Sequence, residues 1–142
     1  MKTIPLLALT FTTTVTFICS YFYNLTMDNF EQYTSLLAVV LLDGFFGIIA
    51  GCKREGFKTF KAIKVLRTAV VWTMILTVLL LVEKGFAGTA WLSETIVIPF
   101  IVFQLISALK NASMIGWISS SLLNDILDKI DLHKGHRDED KK

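Results

Sequence analysis

The chain has only two cysteines and two histidines in 142 residues. Cys19 and Cys52 stand alone near the ends of different apolar segments, with no C-x-x-C pair and no neighbouring His. Both read as buried apolar fillers, which leaves no disulfide and no metal centre. His133 and His136, beside Asp138, read as part of a solvated end. No span or loop supplies a nucleophile with a base, a glycine-rich phosphate loop, or a His/Cys/carboxylate cluster at ligand spacing. No enzyme, cofactor or metal is therefore expected. No alternation of polar and apolar residues marks barrel strands, and no internal repeat suggests an inverted-repeat transporter. No A-x-A-like site follows the first apolar stretch, so that stretch reads as an uncleaved span, not a signal peptide.

Charge is scarce as well. Only 18% of residues are charged against 54% hydrophobic, and the mean hydropathy is +0.60. That is too apolar for an ordinary water-soluble domain of this size, and the bilayer is the natural solvent. A helix needs about 20 mostly apolar residues to cross the hydrocarbon core, and four stretches serve: 4–23, 34–52, 68–82 (extendable backward through "AIKVL") and 92–109. Backbone groups in lipid must bond internally, so these runs are helices. The expected fold is an all-α membrane protein, with a bundle over 1–110, an amphipathic cytoplasmic helix over 111–133 and a polar disordered tail over 134–142.

Short loops rich in Lys and Arg stay in the cytoplasm. The segment between the second and third stretches carries Lys53, Arg54, Lys58, Lys61, Lys64 and Arg67 against a single Glu55. The segment after the first stretch has Asp28 and Glu31 and no cation, and the one after the third has only Lys84. Four spans with both ends inside keep every Lys and Arg but Lys84 in the cytoplasm. Asn24 opens a formal glycosylation tripeptide of a kind that recurs by chance. Phe57, Phe60 and Ile63 interleave with the lysines; beside two spans this basic segment fits topology and lipid headgroups, and no nucleic acid is expected.

Beyond Lys110 a helical period returns. Ile118, Leu122, Leu123, Ile126, Leu127 and Ile130 form one face, with Asn124, Asp125, Asp128, Lys129 and Asp131 opposite. Three Asp against one Lys argue against a helix held on anionic lipid by charge. Packing against its own bundle or against a neighbouring copy is expected instead.

Candidate functional residues lie inside the spans. An ionised carboxylate near mid-bilayer costs roughly 2.5 to 3.5 kcal/mol, so Asp43 must be partnered, protonated or wet. It either ties its span to others or lines a polar interface that opens. Gly44, Gly47 and Gly51 share a face with it and include a G-x-x-x-G pair, the pattern that lets helix backbones approach closely. Gln104, Ser107 and Asn111 form a polar stripe on the fourth span, each able to bond between helices for about 0.6 kcal/mol. Pro99 removes a backbone bond from that span and is expected to kink it.

"LLDGFFGIIAGCKREGFKTFKAIKVLRTAVV" resembles the span-then-basic-loop signature of the bacteriophage holin family that includes the clostridial toxin-secretion holins, with Asp43, Gly47, Ala50, Lys53, Phe57 and Arg67 in the signature places. "FQLISALKNASMIGWISSSLLNDI" resembles the family's later acidic-x-x-Ser-Ile-x-x-Asn helix, with Ser107, Asn111 and Gly116 corresponding. Gln104 stands where the family usually has Glu, and Trp117 and Ile118 replace prolines after the glycine. The resemblance spans roughly residues 36–132. It implies a homo-oligomerising protein of the host cytoplasmic membrane, in contact with membrane lipid. Such a protein opens lesions through which an endolysin, or in the toxin relatives a toxin, reaches the cell wall, with no direct contact to that cargo required. The alternatives are a structural membrane anchor of a larger assembly, or a small channel subunit.

Overall fold

A helix does not end where its apolar run ends; it ends at a residue that cannot continue it. The computed structural model describes residues 3–56 and 59–139, with side chains for 9–53, 56 and 59–131. Five helices form: α1 (Thr3–Asp28), α2 (Phe30–Glu55), α3 (Thr59–Gly85), α4 (Leu92–Met114) and α5 (Ser120–Glu139). Each membrane helix overruns the apolar stretch that announced it. The breaks between α2 and α3, α3 and α4, and α4 and α5 each hold a glycine at positive φ: Gly56 at 79°, Gly88 at 91° and Gly116 at 84°. A side chain is disfavoured in that left-handed region.

Two units divide the chain, residues 1–35 and 36–142. In the first, α1 is threonine-rich, and its hydroxyls bond back onto the helix. Thr13 donates to the Leu9 carbonyl at 2.8 Å, Thr14 to Thr10 at 2.9 Å and Thr16 to Thr12 at 2.9 Å. These bonds satisfy the hydroxyls within the helix itself. The segment expected as an outer loop, from Asn24 to Tyr33, is instead almost wholly helical. Only Asn29 breaks it: its side-chain amide donates to the Leu25 carbonyl at 2.8 Å, while its own carbonyl receives the amides of Gln32 and Tyr33. One residue thus closes α1 and opens α2. Leu25 and Tyr33 are buried, whereas Cys19, expected to be buried, is exposed on α1.

In the second unit α3 packs on α4. Leu76, Leu79 and Leu80 of α3 and Val97, Ala108 and Ala112 of α4 are buried. Trp72 stacks on Phe100 with ring centres 3.6 Å apart. At one end Glu83 Oε1 accepts the Ser93 backbone amide at 2.6 Å, placing a carboxylate on the amino end of α4. Helix α4 runs on through Pro99. It ends in a Schellman turn, in which Gly116 N–H bonds the Ser113 carbonyl and Trp117 N–H that of Ala112, both at 3.0 Å.

That turn moves two expected boundaries. Asn111 belongs to α4, and the amphipathic helix begins only at Ser120, because Gly116 interrupts what periodicity alone joins. At the far end α5 continues to Glu139, through most of the expected tail. The expected basic loop contracts too, since α2 reaches Glu55 and α3 starts at Thr59. Lys61, Lys64 and Arg67 therefore sit on the first turns of α3. Phe57, Lys58 and 140–142, and the side chains of Arg54, His133, His136 and Asp138, lie outside the described residues.

Among the described residues three helical stretches are long and apolar enough to cross a membrane: Phe30–Lys53, Thr59–Gly85 and Leu92–Met114. The shortest, at 23 residues, is about 35 Å long, enough for a hydrocarbon core of about 30 Å. Only 28%, 22% and 17% of their apolar windows is buried within the chain. So much uncovered apolar surface calls for lipid or another copy as its cover.

Candidate functional site, a polar cleft among three helices

Helical spacing brings one stripe from each of α2, α3 and α4 to a common cleft of about 410 Å³. From α2 come Val40, Asp43, Gly44, Gly47 and Ile48; from α3, Lys61, Lys64, Val65 and Thr68; from α4, Gln104 and Asn111. Within each helix these positions recur at three, four or seven residues and so share a face.

Asp43 is half-buried, and its Oδ1 accepts the side-chain amide of Asn111 at 3.1 Å. The bond spans 68 positions of sequence and fastens α2 to α4. Asn111 passes beside Gly47 on its way to the carboxylate: a Cβ there would stand 3.4 Å from Asn111 Nδ2, an ordinary van der Waals contact. The other two seam glycines serve α3. Gly44 meets the branched side chain of Val65 directly, and the Lys61 stem and ammonium lie over Gly51, with Nζ 2.5 Å from where a Cβ would stand. The small-residue face is thus filled by two neighbouring helices of the same chain.

Gln104 and Asn111 line the cleft and Ser107 does not. At about 100° per residue Ser107 lies some 60° round from Gln104, on the side away from buried Ala108 and Ala112. Half-buried Lys61 and exposed Lys64 line the cleft, while Arg67, a further 60° round and also exposed, does not. Thr68 turns its hydroxyl back to the Lys64 carbonyl at 3.0 Å. The lining therefore holds two ammonium groups, one carboxylate, two carboxamides and a hydroxyl on walls that are otherwise aliphatic.

Two residues nearby do work that spacing did not foretell. Lys53 Nζ donates to the Ile115 carbonyl at 2.7 Å, placing a cation on the carboxyl end of α4. Trp117, noticed only because it replaces a proline, packs edge-on against Phe46 with ring centres 5.4 Å apart. The two contacts clasp the ends of α2 and α4 and hold Asp43 in register with Asn111. Elsewhere, an apolar groove of about 780 Å³ separates α4 from α5, with Ile126, Lys129 and Ile130 opposite Ile98 to Leu109. No group of three or more His, Cys, Asp or Glu converges among the described residues.

The lining offers hydrogen-bond donors, acceptors and charges of both signs. It gathers charged and polar groups between helices that are otherwise apolar. Compared with known proteins, the chain matches the family model of the bacteriophage holin family over residues 17–131, which extends into α1 beyond the stretch expected from motifs. Neither the curated proteins nor the solved structures give a match.

Proposed function

The chain belongs to the bacteriophage holin family, and we propose that it works as a holin of the phage-lysis type. In this reading it accumulates as a homo-oligomer in the host cytoplasmic membrane. At a set time it opens lesions that release a cytoplasmic endolysin, without touching that enzyme. Four helices cross, α1 to α4, with both termini in the cytoplasm. The three long apolar helices and the basic start of α3 support this arrangement.

The observation that carries the proposal is the Asp43–Asn111 bond inside a polar cleft of an otherwise apolar helix set. In a single copy that bond and the filled glycine seam hold the cleft shut. The exposed apolar faces, among them Leu41, Leu42 and Phe45 on α2 and Val70, Val71 and Met74 on α3, supply contacts between copies. When enough copies cluster, α2 and α4 trade their mutual contact for contacts with neighbours, and the polar stripes turn toward water. The energetic step is small, since one interhelical hydrogen bond in a membrane is worth about 0.6 kcal/mol.

Induced expression tests this. Membrane potential should hold steady and then collapse abruptly, and a co-expressed endolysin should lyse the cells at that moment. Asp43→Asn should change the time of collapse. Cells that grow normally with the protein abundant in the membrane would contradict the reading.

A further inference from the structure

Lys61 and Lys64 bring two cations into the lining of the cleft, Lys61 with its stem over Gly51. Both line the cleft at the end of the helices where the basic residues gather, one turn from the amino end of α3, whose backbone adds partial positive charge. Basic pockets between membrane helices on the cytoplasmic side recognise anionic lipid headgroups. We propose that the cleft binds the headgroup of an anionic phosphodiester lipid that carries a free hydroxyl. Lys61 and Lys64 hold the phosphate, and the Asp43 carboxylate accepts the headgroup hydroxyl.

Four observations converge on an amphiphile of this kind. The two ammonium-bearing residues are three positions apart on one helix face, so a single phosphate can bridge them. The deeper lining, Asp43, Gln104 and Asn111, supplies both acceptors and donors, which suits a polyol better than a bare anion. Val40, Ile48 and Val65 make the adjoining wall aliphatic, as the first carbons of an acyl chain require. The cleft of about 410 Å³ holds on the order of ten water molecules, ample for a glycerophosphate group of about ten heavy atoms. The inference rests on the chain spanning a membrane and is independent of lesion opening.

Native mass spectrometry of the full-length protein in detergent, titrated with phosphatidylglycerol or phosphatidylcholine, is the test. Phosphatidylglycerol should be retained preferentially, and the double variant Lys61→Gln/Lys64→Gln should bind it about ten- to thirtyfold more weakly. The Lys61→Arg/Lys64→Arg pair should restore binding, which guards against mere misfolding of the neutral pair. Arg67→Gln/Lys110→Gln removes the same charge from positions that do not line the cleft and should bind as wild type. Asp43→Ala, which has no acceptor, should lose the preference for phosphatidylglycerol over phosphatidic acid, which lacks the hydroxyl. Equal retention of the neutral lipid, unchanged binding by the neutral pair, or an equal loss in the Arg67/Lys110 pair would overturn the proposal. Displacement of the lipid by millimolar inorganic phosphate would overturn it too, by assigning the site to the free anion.

Discussion

Asp43 is a carboxylate within an apolar helix, and among the described residues the Asn111 amide bonds it. Replacing Asn111 by Leu keeps the volume and removes that amide. The loss should be about 1 kcal/mol, since such bonds in membranes average about 0.6 and reach about 1.7. Unfolding of the purified protein in mixed micelles by added SDS measures it, and an unchanged midpoint would count against the bond. The seam glycines separate two opposing effects. At Gly44 an added methyl group meets Val65, whose branched side chain cannot swing away. Overpacking of this kind costs about 1 to 3 kcal/mol, more than the roughly 1 kcal/mol of helix propensity gained. At Gly47 the nearest atom is an amide nitrogen at 3.4 Å, so propensity prevails. Gly44→Ala should therefore destabilise and Gly47→Ala should not, and adding Val65→Ala should relieve the first. The spacing of Asp43, Gly47 and Asn111 was enough to mark all three as helix-contact residues. It could not pair them, because the relative register of α2 and α4 is a long-range fact. Ser107 shows the same limit, since a stripe of three polar residues spans more arc than the cleft admits.

At the scale of elements, hydropathy locates the spans and glycine ends them. Apolar runs marked the centres of α2, α3 and α4 but stopped well short of several helix ends, because charged residues such as Lys53 and Lys61 extend a helix as readily as Leu does. The true stops, Gly56, Gly88 and Gly116, lie beyond the apolar runs that mark the spans and carry no periodic signal. Gly116 has the largest consequence, since it decides that α5 is a separate helix rather than a continuation of α4. A side chain at its φ of 84° costs about 1 to 2 kcal/mol. Gly116→Ala should loosen the Schellman turn and speed chymotrypsin cleavage after Trp117 several-fold in detergent, while the spectroscopic helix content stays unchanged. The clasp made by Lys53 and Trp117 escaped the sequence reading for a related reason: neither a helix-end carbonyl nor an edge-on ring contact leaves a mark on spacing.

For the whole molecule, the decisive feature is how little of its apolar surface the chain covers by itself. Helices with less than a third of their apolar windows buried need lipid or one another to cover the rest. Under the proposed function, a polar cleft in that setting becomes a water path once copies cluster, and in one copy a weak bond and a glycine seam keep it shut. The most direct measurement is release from anionic vesicles that hold fluorescent dextrans of graded size, with purified protein reconstituted at rising density. The account predicts sealed vesicles at low density, then release of dextrans of endolysin size above a threshold, with the threshold shifted by Asn111→Leu. Vesicles that stay sealed at every density, or that pass only small ions, would contradict it.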